Sequence, residues 1–217
     1  VVYHFCFDLR HFGFITADLY RDPFWLHART AILSSFLLLA GISLVLAQRD
    51  ARGRDRFWQH IARVAAAALL VSAASYVVFP QRYIWFGVLH AIAISLVLVR
   101  PLATRPAVAA VLGVALLVAG NAWTSAAFDN RTLGWVGFMT AKPATEDYVP
   151  LAPWTGMILL GMAIAHPLQR NGFRTLAPFA RWPRWLGAMG RHSLAIYLIH
   201  QPLLFGVLAL AAKGVRP

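Results

Sequence analysis

His4, Asp8 and His11 stand at spacing i, i+4, i+7 in the opening stretch VVYHFCFDLRHF. Residues three or four apart share one face of a helix, so the three form a polar stripe on an otherwise greasy segment. An imidazole with an ordered carboxylate one turn away is the core of general-base catalysis, because the carboxylate orients the ring and stabilises its cation. Such a base can deprotonate a sugar hydroxyl or amine that attacks a thioester. A histidine can also act as the nucleophile and carry the acyl group itself. Spacing alone does not choose between these. His-x3-Asp is compatible with a metal too, but Cys and Glu are scarce and no His-x3-His occurs, so no metal is expected.

Other ionisable or aromatic groups punctuate the apolar segments. Arg29 opens the second apolar block, His90 lies in YIWFGVLHAIAIS, Asp147 and Trp154 flank the start of another block in DYVPLAPW, and His200 lies in SLAIYLIHQPLLF. An ionisable group in a bilayer is costly and usually faces the bundle interior. With His4 and Asp8 as the catalytic pair, Arg29, His90, Asp147, Trp154 and His200 are the expected substrate contacts, converging on a polar cavity in the outer half of a bundle. Each has a plainer reading. The stripe can be a structural hydrogen-bond network, His90 and His200 satisfied core histidines, Arg29 a snorkelling side chain, and Asp147 a loop residue or a cap for the helix expected at 151–168.

The elements that must hold these residues follow from composition. Of 217 residues, 59% are hydrophobic and only 13% charged. Soluble domains carry roughly 25% charged residues. The apolar residues come in blocks such as ILSSFLLLAGISLVLA, VAAAALLVSAASYVVF, AVAAVLGVALLVAGNAW and LAIYLIHQPLLFGVLALAA. Each approaches the ~20 residues that cross a bilayer. The expected fold is all-α: one polytopic membrane helix bundle over 1–217, with spans at 1–12, 28–48, 59–79, 84–100, 106–124, 151–168 and 191–212. The first is short for a span, so the natural helix is expected to begin before Val1. The alternating ~10-residue strands of a barrel are missing. Gly and Ala in AGISLVLA and VLGVALLVAG are expected to be helix-packing contacts.

The formal charge of +12 does not point to nucleic acid. The basic residues fill short connections, as the positive-inside rule requires. Arg49, Arg52, Arg54 and Arg56 lie in 48–60, Arg100 and Arg105 in 99–106, and Arg170, Arg174, Arg181, Arg184 and Arg191 in 169–192. Seven alternating spans put these three connections and the N-terminus on the cytoplasmic side. The single Cys6 excludes an intrachain disulfide.

The segments VVYHFCFDL, FLLLAGISL, YIWFGVLHAIAIS, DYVPLAPWTGMILLGMAI and MGRHSLAIYLIHQPLLF occur in the same order in a bacterial membrane family. That family resembles the catalytic domain of heparan-α-glucosaminide N-acetyltransferase. The resemblance implies a transmembrane acyltransferase that takes acetyl from cytosolic acetyl-CoA, the expected co-substrate, to a sugar on the far side. A cell-envelope glycan or lipid-linked sugar is the expected acceptor and membrane lipid the surrounding partner, in the bacterial inner membrane. A looser likeness links the chain to integral-membrane O-acyltransferases. These carry an Arg in helix 1 and a catalytic His about three turns later, where His4 stands. His200 in YLIHQP resembles a late helix of the same enzymes. Two other readings compete: a haem-binding electron-transfer protein with His90 and His200 as axial ligands, and a sugar or lipid transporter, although no inverted repeat is visible.

Overall fold

The computed structural model describes residues 2–19, 21–48, 53–181 and 183–215. Arg49 and Arg52 of the first basic connection lie outside them. The described residues form eight α-helices: α1 Val2–His11, α2 Pro23–Ala47, α3 Gly53–Val78, α4 Val88–Val99, α5 Pro106–Ala122, α6 Leu151–Arg170, α7 Arg184–Arg191 and α8 Ser193–Val215. No strand forms among the described residues; Phe86 and Tyr148 make one isolated parallel bridge.

All seven expected apolar segments are helical, but they differ in reach. Among the described residues, four helical stretches are long and apolar enough to cross a membrane: Pro23–Ala47, Gly53–Val78, Leu151–Arg170 and Ser193–Ala212. Val88–Leu102 and Pro106–Ala122 are shorter apolar helices. At ~1.5 Å per residue the 12 residues of α4 extend only ~18 Å. A count of seven full spans therefore does not follow from helix length. The region 169–190, expected as a connection, holds a 3-10 stretch at Arg174–Arg181 and the short helix α7.

Local chemistry sets several boundaries. Asp22 precedes α2 and its Oδ1 accepts from Phe24 N–H at 2.8 Å, while Pro23 takes the first helical position. A capping acid followed by Pro is a strong start signal, and it begins α2 before the apolar run that sequence periodicity picks up. Pro106 likewise opens α5. Pro101 supplies no N–H, and α4 closes in the 3-10 turn Arg100–Leu102.

Two compact units emerge. One comprises residues 1–33 and 178–217, the other 34–177. In the first, α1 packs along α8, where His11 and Phe12 meet Phe205 at ring-centroid distances of 5.4 and 4.9 Å. In the second, α4 is the most enclosed helix, with Val88, Leu89, Ala91, Ile92, Ala93, Ser95, Leu96 and Val99 all buried. Its Ser95 hydroxyl bonds Thr155 of α6 at 2.7 Å. Helices α2 and α6 cross where Gly41 faces the carbonyl of Ile158 and Gly161 faces that of Leu38, and a Cβ at either glycine would collide with that oxygen. Small residues let backbones approach this closely, and within a bilayer such van der Waals contact drives helix association. The expected packing role of the glycine in AGISLVLA is realised here.

Candidate active site

His4, Asp8, Arg29 and His200 belong to the first unit; His90, Asp147 and Trp154 belong to the second.

In the first unit, α1 and α8 bring three polar side chains together. Asp8 is only 1% exposed, and its Oδ1 accepts a hydrogen bond from Gln201 Nε2 at 3.0 Å. Its Oδ2 is buried without a partner. His200 is 9% exposed. Its Nδ1–H donates to the carbonyls of Ile196 and Tyr197 at 3.0 and 2.8 Å. Those two acceptors place the ring proton on Nδ1 and leave a lone pair on Nε2. Nε2 is also buried without a partner, as is Gln201 Oε1.

The His4 ring lies edge-on to His200 at a centroid distance of 5.0 Å. Among the described residues no hydrogen bond joins His4 to Asp8; the carboxylate engages Gln201 and acts electrostatically on His11 and His200. Arg29, half-buried on α2, is among the charges that act on His4. An oriented imidazole with an open lone pair, acted on electrostatically by a buried carboxylate, can accept a proton from a bound hydroxyl or amine. Sequence reasoning passes over Gln201. The available signal is an amide directly after a histidine inside an apolar run.

The second unit treats its histidine differently. His90 Nδ1 accepts from Gly87 N–H at 3.3 Å, which closes the start of α4. Its Nε2 then carries the proton and donates to Ser72 Oγ at 3.3 Å, and the Ser72 hydroxyl donates to the Ile84 carbonyl at 2.6 Å. Asp147 Oδ2 accepts from Val88 N–H at 2.8 Å at the same helix start. Anions are favoured there by the exposed N–H groups and the helix dipole. Two backbone stretches hold Asp147 in place. Thr145 Oγ1 donates to the Tyr83 carbonyl at 2.7 Å, and Glu146 N–H donates to the Arg82 carbonyl at 3.0 Å. His90 fits its plainer reading as a satisfied histidine, whereas Asp147 caps the start of α4 and not the start of α6, where the sequence suggested a cap. Trp154 lies half-buried in the first turn of α6. Among the described residues no group of three or more His, Cys, Asp or Glu could hold a metal ion.

The family model described as heparan-alpha-glucosaminide N-acetyltransferase, catalytic, matches residues 1–202. The chain belongs to this family. The match takes in α1 with His4 and Asp8 and reaches His200 and Gln201 on α8. No curated protein and no solved structure matches the chain. Family membership together with the four long apolar helices makes this an integral membrane protein of an acetyltransferase family.

Proposed function

We propose that the protein transfers acetyl from cytoplasmic acetyl-CoA to a sugar or cell-envelope glycan on the outer side of a bacterial inner membrane, acting as one acyltransferase-like domain with seven membrane segments. The observation that carries the reading is the tautomer of His200, which leaves Nε2 open on a ring that interacts electrostatically with the buried Asp8 carboxylate. Nε2 takes the proton from the acceptor hydroxyl or amine as that group attacks the thioester carbonyl carbon. The new C–O or C–N bond forms, the C–S bond breaks, and the CoA thiolate receives the proton from His200. Asp8 stabilises the transient imidazolium, and the adjacent His4 completes the base by contacting the reacting groups. Arg29 contributes a substrate contact from the same unit. His90 and Asp147 serve by fixing the start of α4, with Trp154 at the start of α6. The arginines of 48–60, 99–106 and 169–192 mark the cytoplasmic side and offer charge for the CoA phosphates.

The experiment is incubation of [14C]acetyl-CoA with the protein in proteoliposomes and a panel of amino sugars and envelope glycans, with His4→Ala and His200→Ala as controls. Label on an acceptor, lost in both folded variants, is the expected result. Full transfer by both variants removes the proposed base. Two histidine ligands for haem are less well supported, because both nitrogens of His90 are engaged within the protein.

A further inference from the structure

Gln201 follows His200 on α8 and is half-buried. The two ends of its amide have opposite chemistry, since the NH2 only donates and Oε1 only accepts. Nε2 faces Asp8 Oδ1 at 3.0 Å. A carboxylate offers only acceptors, so the flipped amide would set oxygen against oxygen. Asp8 therefore decides which way the amide lies and leaves Oε1 as a buried acceptor with no donor. Asp8 Oδ2 and His200 Nε2 are in the same condition. A buried amide oxygen left without a donor calls for a ligand that brings one. The hydroxyl and amino groups of a sugar do so.

We propose that Gln201 determines specificity for the acetyl acceptor. Held by Asp8, its Oε1 accepts a hydrogen bond from a hydroxyl or amino group of the sugar other than the one that is acylated. The proposal rests on the acyltransferase reading for its chemistry, though not for the recognition step.

The test pairs substrate analogues with a variant, using the whole protein in proteoliposomes. The probes are methyl glucosaminide and its monodeoxy analogues, followed by acetyl transfer and by calorimetric binding. With the wild type, one analogue is expected to lose about 10-fold to 100-fold in kcat/KM. Gln201→Met is expected to handle that analogue and the parent sugar alike, within about twofold. A variant slowed by one common factor on every probe would show Gln201 to be merely structural and overturn the proposal. So would a wild type indifferent to every deletion. Should Gln201→Met fail to give monodisperse protein, Gln201→Asn, whose amide is one methylene shorter, supplies the same comparison. Binding separates the two readings. If no acetyl moves but methyl glucosaminide binds with a deoxy penalty that Gln201→Met erases, the acyltransferase reading falls and the role of Gln201 stands. No binding of any probe overturns that role.

Discussion

His90 and His200 are both histidines inside apolar helices, yet the two units treat them in opposite ways. In the unit formed by 34–177, both ring nitrogens of His90 are engaged, one by Gly87 N–H and the other by Ser72. In the unit formed by 1–33 and 178–217, only Nδ1 of His200 is engaged, and Nε2 is buried and open. The carboxylates differ in parallel. Asp147 caps α4, whereas Asp8 is buried with one oxygen unpartnered. A satisfied polar network stabilises a fold, while an unsatisfied one is retained at a cost that a ligand can offset. Residue type therefore says less about function than the state of each lone pair.

The sharpest way to break this comparison is to remove each ring in turn. His200→Gln is expected to lower acetyl transfer by about 10²-fold to 10⁴-fold, the usual contribution of a general base. His90→Gln should change it by less than about threefold, since losing a hydrogen bond at a helix start acts on stability rather than on the proton transfer. Steady-state kinetics on both variants decides the matter, and a reversed ranking would refute the contrast.

A smaller effect is expected at Asp8. Asp8→Asn keeps the shape but removes the charge, so transfer should fall by about 10-fold to 100-fold. Thermal unfolding should occur at the same temperature or higher, because the cost of burying a carboxylate has gone while an amide oxygen still accepts from Gln201. A steep loss of thermal stability with full activity would make Asp8 a structural acid.

The second unit should respond in stability. Loss of the helix cap in Asp147→Ala is expected to cost about 1 kcal/mol. Denaturant or thermal unfolding in detergent measures it, and the surviving folded protein should retain its transfer rate within about threefold.

The smallest predicted effect concerns alkaline pH. Tyr148 donates its hydroxyl to the Gly134 carbonyl at 2.6 Å, and burial followed by the nearby Asp129 charge pushes its phenol up to about 12. The unfolded chain releases this proton near the ordinary value of 10.0. Its contribution to stability is therefore complete below about pH 10 and declines as pH rises from there towards 12. Phenolate absorbance during alkaline unfolding should show one late-titrating tyrosine, missing in Tyr148→Phe.

Much of this molecule is legible in its sequence. Long apolar blocks must form helices where no water can satisfy the backbone, so all seven expected segments appear as helices. Boundaries are less legible. Asp22 and Pro23 start α2 earlier than its apolar run, and α7 carries no long apolar signature. The i, i+4 stripe correctly sets His4 and Asp8 on a helix, but periodicity is blind to which partner a side chain takes. Asp8 pairs with Gln201, 193 positions away, rather than with His4.

The sequence by itself determined the class of solvent, the helical architecture, the family, and the few polar groups that an apolar interior must accommodate. Only the tertiary structure decided which of those groups are satisfied. That depends on hydrogen bonds between distant segments, such as Ser72 with His90 and Asp147 with Val88, and on the two carbonyls that hold the proton on Nδ1 of His200. Hydrogen bonds act over about 3 Å and depend on angle, so residue type and spacing along the chain leave them open until the fold brings donor and acceptor together.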